Sequence, residues 1–211
     1  MSVEKNKFIL NYKKGIPQLL KKELIADTET PFSSFLKIIK NEKYSFLLES
    51  VEGGSKKGRY SLLGCDPDLI WTVNNGKTLI KYFDHNHNYK LNNHPLKGLR
   101  DLINLSKIKN TQINPPYPTL VGYLGYPMIK FMENITLKND DNIKIPDATF
   151  IRPKIVAVFD NIKDTISLMT VSYPSKKISP NLAYKKANLL IKKTIKKLEK
   201  SILKSINKKI I

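Results

Sequence analysis

The sequence has few of the residues that mark secreted or membrane-spanning proteins. Its single cysteine, Cys65, excludes an internal disulfide and fits a reducing compartment. Residues 1–7 contain no apolar segment of signal-peptide length, and no apolar run approaches the ~18 residues that a membrane span requires. We therefore expect a soluble, cytoplasmic protein that does not bind a membrane.

Arginine is scarce although the chain is strongly basic. Lysine and arginine together number 37 and give a net charge of +19, but the only arginines are Arg59, Arg100 and Arg152. Recognition of nucleic acids favours the arginine fork, often with aromatic side chains between the basic ones. Here lysine accompanies isoleucine and asparagine, the amino acids of A- and T-rich codons. We interpret the charge as solvated lysines and expect no nucleic-acid partner.

The apolar residues, 41% of the chain, are enough for a core, and many alternate with the period of β-strands. We predict strands at 8–10, 44–50, 59–65, 69–73, 78–83, 120–126, 150–159 and 165–173. We predict helices at 18–26, 33–39, 94–105 and 181–207, and a hairpin turn at Asn74-Asn75-Gly76. The predicted fold class is α+β, with mostly antiparallel β-sheet and flanking helices.

The stretch 44–67, YSFLLESVEGGSKKGRYSLLGCDP, is typical of a β-hairpin with a glycine-rich turn. Asp66-Pro67 is predicted to end its second strand because proline cannot continue a ladder. A carboxylate, two hydroxyls and a guanidinium lie near its mouth, from Glu49, Ser50, Ser61 and Arg59. Such groups beside an apolar floor suit a small zwitterionic ligand. A structural ion pair between Glu49 and Arg59 is the alternative that we favour for those two residues.

Four strings in the same order carry a family resemblance. LLESVEGG with GRYSLLGCDP, preceded by ADTETPFSSFLKI and followed by VGYLGYPMIKFME and IPDATFIRPKIVAVFDN, resembles anthranilate synthase component I, a chorismate-utilising enzyme family. The resemblance implies an amino-terminal, tryptophan-regulatory domain over residues 1–175. Residues 176–211, with twelve lysines, one acid and a net charge of +11, would form an amphipathic helix leading toward a chorismate-binding domain. The sheet would be one half of a two-sheet sandwich.

The resemblance also implies where an allosteric ligand binds. By position in LLES, Ser50 would bind tryptophan, with Leu48 and Glu49 beside it. A serine on an apolar strand face costs free energy unless its hydroxyl is hydrogen-bonded, and either a ligand or a neighbouring carbonyl can satisfy it. Tyr123 and Gly125 could line the same pocket, but we favour a core strand that needs glycine for close packing.

The family makes anthranilate and pyruvate from chorismate and glutamine or ammonia, with feedback inhibition by tryptophan. Its catalytic groups and its Mg²⁺ site belong to the chorismate-binding domain, so we expect no catalytic residue or cofactor in this chain and no activity from it alone. His85, His87 and His94 lack metal-ligand spacing. The expected partners are L-tryptophan, the glutamine amidotransferase subunit (component II) and the chorismate-binding half of component I.

Other hypotheses stay open. The chain could be part of 4-amino-4-deoxychorismate synthase component I, although VEGG and GRYSLLG favour the anthranilate branch. It could also be an amino-acid-binding or subunit-docking module without catalytic function. A truncated gene and a split gene would both give a chain of this length.

Overall fold

The computed structural model describes residues 3–39, 42–52, 56–83, 87–108, 115, 117–136 and 144–201. The helices are α1 (Val3–Lys13), α2 (Pro31–Ile38), α3 (Pro95–Ser106) and α4 (Pro180–Leu198), and a 3₁₀ helix spans Tyr126–Phe131. The strands are β1 (Gln18–Ile25), β2 (Ser45–Glu52), β3 (Lys56–Asn74), β4 (Lys77–Tyr82), β5 (Val121–Leu124), β6 (Ala148–Asp160) and β7 (Thr165–Ser172). Because these seven strands form an antiparallel sheet with flanking helices, the predicted α+β class is confirmed. The two-sheet sandwich stays a prediction.

The chain forms two compact units. The first comprises Met1–Asp66, Ile108–Pro118 and Lys154–Ile211, and the second comprises Pro67–Lys107 and Thr119–Pro153. The long strands β3 and β6 contribute residues to both units. The predicted boundary at residue 175 stays a prediction.

The first unit packs helices on a five-stranded arrangement of order β1-β7-β6-β3-β2. Helix α4 packs on β7 and β1 and also contacts α1 and α2. Its buried residues Ala187, Ile191 and Leu198 join the main core cluster, as the predicted stripe requires. Two further residues of that stripe, Ile202 and Ile206, lie outside the described residues.

The first two elements of the chain differ from the prediction. Residues 8–10, predicted as an edge strand, belong to α1, where Phe8 and Tyr12 are buried one turn apart and Phe8 meets Tyr184 of α4 edge-on at 5.2 Å. Residues 18–25, predicted as a helix, form β1, which pairs with β7 from Gln18↔Ser172 to Ile25↔Thr165. Packing against distant parts of the chain therefore determines whether each of these two segments is a helix or a strand.

Helix α2 starts slightly earlier than expected. Thr30 caps it, because the Thr30 side chain accepts a hydrogen bond from the Ser33 backbone and the Ser33 hydroxyl accepts one from the Thr30 backbone.

The predicted end of the second hairpin strand is wrong. Strand β3 continues through Pro67 to Asn74. Asp66 takes a left-handed φ of 51°, a conformation that aspartate tolerates better than most residues, and Lys154 pairs with its carboxylate at 3.2 Å.

The core of the second unit lies between β3, α3 and the 3₁₀ helix. Its buried residues are Leu69, Trp71, Val73, Leu99, Leu102, Met128 and Ala148. The predicted hairpin turn is confirmed, because Asn75 and Gly76 have φ values of 47° and 75° between β3 and β4. One detail is wrong: β5, predicted as a core strand, leaves Tyr123 and Leu124 more than 40% exposed. Among the described residues, no helix is long and apolar enough to cross a membrane.

Candidate functional site

The candidate site is the β2–β3 ribbon, in which the strands pair from Ser45↔Cys65 to Glu52↔Lys56. Phe46 lies opposite Gly64, and Glu49 lies opposite Ser61. The register then shifts between Glu49 and Val51, so that Ser50 sits at an irregularity in the ladder. Bulges of this kind re-aim individual side chains.

The two faces of the ribbon have different surroundings. Leu47, Leu63 and Cys65 join the main core, which the helices cover. On the other face, Phe46 and Leu62 pack against Val156, Val158 and Met169. Strand alternation places Leu48 on the Phe46 face.

Three predicted site residues of β2 are solvent-accessible. Leu48 is 48% exposed, and Glu49 and Ser50 are also exposed. By contrast, Ser61 is buried directly across from Glu49. The ribbon therefore presents an apolar side chain and a hydroxyl to solvent.

Two glycines of β3 lie beneath side chains of β2. A Cβ atom at Gly58 would be 1.7 Å from Ser50 Oγ, and one at Gly64 would be 2.6 Å from Phe46 Cε1. Neither distance is possible for real atoms, so Ser50 and Phe46 occupy the space of the side chains that these glycines lack.

Arg59 pairs with a residue that the sequence did not suggest. Its Nη2 atom lies 3.1 Å from Oδ2 of the buried Asp160, and the guanidinium stacks on the Tyr60 ring at 4.9 Å from its centre. The predicted Glu49–Arg59 pair is therefore wrong. Burial alone would raise the pKa of Asp160, but the hydrogen bonds from Arg59 and from the Ile162 backbone bring that pKa below its ordinary value.

The turn after β6 also holds Gly58 and Arg59 of β3 in place through hydrogen bonds. Asn161 Nδ2 donates to the Gly58 carbonyl at 2.7 Å, and the Asn161 backbone donates to the Arg59 carbonyl at 2.8 Å. Gly58, Gly64, Asp160 and Asn161 are the residues that sequence reasoning missed. Regular strand register places Gly64 opposite Phe46 and could have identified that glycine, whereas the register shift after Glu49 conceals the place of Gly58 beneath Ser50.

Tyr123 and Gly125 belong to the second unit, whereas Leu48, Glu49, Ser50, Arg59 and Ser61 belong to the first. The Tyr123 hydroxyl donates to the Pro146 carbonyl at 3.0 Å, and Gly125 donates to the Asp147 carbonyl at 2.8 Å. A Cβ at Gly125 would lie 2.9 Å from that same Asp147 oxygen. Close backbone approach within the second unit therefore accounts for this glycine.

Metal-ligating groups are not clustered in the part of the chain that the structure describes. No set of three or more His, Cys, Asp or Glu side chains there could hold a metal ion. His87 stacks on Tyr89 at 5.3 Å, His94 precedes α3, and His85 lies outside the described residues.

Fold and ribbon together define an α+β protein with a seven-stranded antiparallel sheet and flanking helices, and sequence comparison shows which proteins it is similar to. The chain is 38% identical over 184 residues to anthranilate synthase component 1 of Cereibacter sphaeroides. The aligned region covers 85% of this chain and 37% of that protein. It is 30% identical over 149 residues to the Thermus thermophilus protein of the same name, covering 71% and 31%, respectively. This chain is homologous to anthranilate synthase component 1, and it spans about a third of the length of these relatives.

The other comparisons add little. No protein-family model matches the chain. The solved structure of anthranilate synthase component I from Streptococcus pneumoniae TIGR4 matches with a TM-score of 0.46 and 21% identity, covering 81% of this chain and 36% of that one.

Proposed function

We propose that this chain is the tryptophan-regulatory part of an anthranilate synthase component 1 and that its β2–β3 ribbon forms one wall of the tryptophan site. The observation that carries the proposal is the exposure of Ser50 and Leu48 on β2, within the LLES string that bears the family resemblance. Ser50 is an exposed residue that is not sealed inside a core, and we assign its hydroxyl to the ligand.

The chemistry of this surface suits tryptophan. The exposed Leu48 side chain offers an apolar contact for the indole ring, and burying it under a ring would remove apolar surface from water. The Ser50 hydroxyl can donate to the carboxylate of the ligand or accept from its ammonium group. Glu49, which lies opposite Ser61, projects from the other face of β2, so we assign the ligand contacts to Leu48 and Ser50.

The reaction itself is assigned to the complementary part of the enzyme. We propose that the chorismate-binding half of component 1 holds Mg²⁺ and converts chorismate to anthranilate and pyruvate, with ammonia from the glutamine amidotransferase subunit. Tryptophan then inhibits because it binds an inactive arrangement of the enzyme more tightly than the active one. Only this difference in affinity can shift the equilibrium between the two.

A chimera tests the proposal. This chain replaces the matching segment of the Cereibacter sphaeroides relative, and anthranilate formation from chorismate and ammonia is followed at increasing L-tryptophan. Ser50→Phe should fill the site and raise the half-inhibitory tryptophan concentration by roughly tenfold or more, the equivalent of about 1.4 kcal/mol of binding.

Ser201→Phe is the matched control, because Ser201 is an exposed serine after α4. It should leave the half-inhibitory concentration unchanged. If Ser50→Phe gives the same inhibition curve as the unsubstituted chimera, or if the chimera is insensitive to tryptophan, the proposed function is refuted.

A further inference from the structure

We propose that Gly58 is a positioning residue for tryptophan recognition: it leaves the space that the Ser50 side chain must occupy to present its hydroxyl. The inference rests on the proposed function. Gly58 was predicted only as a turn glycine, but its place in β3 directly beneath Ser50 gives it a second role.

The geometry leaves no room for any other residue at position 58. A Cβ there would lie 1.7 Å from Oγ, 2.8 Å from Cβ and 3.0 Å from the carbonyl oxygen of Ser50. Facing Cβ atoms of antiparallel strands are ordinarily about 4.5–5.5 Å apart. Ser50 therefore lies directly over the Gly58 backbone, and an alanine at position 58 must displace one of the two residues.

Gly58 is the more firmly held of the two. Its carbonyl accepts a hydrogen bond from Asn161, and the next residue, Arg59, is bonded to Asn161 through its carbonyl and to Asp160 through its guanidinium. Ser50 is exposed and lies at the register shift of β2. An added methyl group at position 58 should therefore move Ser50.

Such a movement is large for a hydrogen bond. O–H···O bonds require donor–acceptor distances of about 2.5–3.0 Å, so a hydroxyl displaced by about 1 Å no longer reaches the same ligand atom. The fold, by contrast, can absorb the shift of one exposed side chain. Gly58→Ala should therefore weaken tryptophan recognition more than it weakens the fold.

Gly64 is the matched control, because it lies on the same strand beneath Phe46 in the same kind of contact. A Cβ at Gly64 would be 2.6 Å from the Phe46 ring and 3.0 Å from the Ile155 carbonyl oxygen. Gly64→Ala therefore disturbs the same two strands without a contact to Ser50. It should lower the unfolding temperature at least as much as Gly58→Ala does, with no change in tryptophan sensitivity.

The experiment compares Gly58→Ala, Gly64→Ala, Ser50→Gly and the double variant Gly58→Ala/Ser50→Gly in the chimera described above. Gly58→Ala should raise the half-inhibitory concentration of L-tryptophan by roughly tenfold, the equivalent of about 1.4 kcal/mol. Ser50→Gly should raise it similarly, and the double variant should be no less sensitive than Ser50→Gly alone. Non-additivity of this kind indicates that the two residues act as one unit.

Two results overturn the inference while the proposed function stands: Gly58→Ala keeps the original tryptophan sensitivity, or its effect adds in full to that of Ser50→Gly. If Ser50→Gly itself leaves inhibition unchanged, both the proposed function and the positioning role fail. Thermal unfolding tests the contact between Gly58 and Ser50 independently of tryptophan binding. The predicted contact requires that Gly58→Ala lower the unfolding temperature less in the Ser50→Gly background than in the original chain.

Discussion

Asp68 and Arg152 form a buried ion pair in the second unit, and replacing Asp68 with asparagine should destabilise that unit strongly. Arg152 Nε and Nη2 donate to the two carboxylate oxygens of Asp68 at 2.8 and 2.6 Å. The two residues are 1% and 8% exposed. The guanidinium also lies over the Tyr89 ring, 5.5 Å from its centre.

The size of the expected loss in unfolding free energy follows from the burial of this ion pair. Asparagine keeps the shape of the side chain but removes the negative charge that Asp68 places against the buried guanidinium. Removing one partner of a buried pair typically costs about 3–5 kcal/mol. At about 2–4 °C per kcal/mol for a chain of this size, the unfolding midpoint should fall by about 6–20 °C.

The assay uses the only tryptophan of the chain, Trp71, which is fully buried in the same unit and reports its unfolding by fluorescence. Asp66→Asn is the matched control two residues earlier in β3. It breaks a partly exposed pair with Lys154, and asparagine tolerates the left-handed φ of that position. Its cost should be about 0–1 kcal/mol.

If Asp68→Asn and Asp66→Asn lower the free energy of unfolding in urea by the same amount, the reasoning is refuted, since burial of the pair would then not affect the cost of losing it. A double variant provides a second test. Asp68→Leu combined with Arg152→Met removes both charges, so it should be more stable than Asp68→Asn. A double variant as unstable as the single one would show that the cost comes from packing and not from the loss of the Asp68 charge.

Three smaller predictions concern other parts of the chain. Burial raises the pKa of the Cys65 thiol to about 12, so the native protein should resist a thiol reagent that labels it after unfolding in urea; rapid native labelling would contradict this. The lowered pKa of Asp160 contributes stability above its unfolded pKa of about 3.9, and this contribution is lost as pH falls through the folded value. Arg59→Gln removes a hydrogen bond that lowers the pKa of Asp160, so less stability depends on this carboxylate and the acid limb of thermal stability against pH should be shallower; identical acid limbs would exclude the pair. Gly76→Ala and Gly15→Ala impose the same φ of 75° on alanine, at about 1–2 kcal/mol each, but only Gly76 faces a nearby ring, so its urea midpoint should fall further.

Sequence reasoning succeeded where neighbouring residues decide the structure. The Asn75-Gly76 turn was predictable because its two left-handed residues match the twist of a hairpin. The apolar stripe of α4 was predictable because Ala187, Ile191 and Leu198 recur at helical spacing.

Prediction failed where contacts with distant parts of the chain determine the secondary structure or the ion-pair partner. The segment of α1 has only Phe8 and Tyr12 to bury, and Phe8 finds its ring partner Tyr184 near the other end of the chain. The Leu19, Leu20 and Leu24 pattern of β1 fits a short helix as well as a strand, and pairing with β7 selects the strand. Likewise, Arg59 took the distant Asp160 as its partner, which no local pattern indicates.

At the candidate site, the sequence located the β2–β3 ribbon but did not show which residue of β3 lies beneath Ser50. If the regular pairing that places Phe46 opposite Gly64 continued along β2, Ser50 would lie opposite Tyr60. The register shift after Glu49 instead brings Ser50 over Gly58, the position that has no side chain. The two glycines that flank RYSLL therefore have a common physical cause, since each lies beneath a side chain of the facing strand. A glycine count predicts only a turn there, whereas the register explains why these two positions of the strand require glycine.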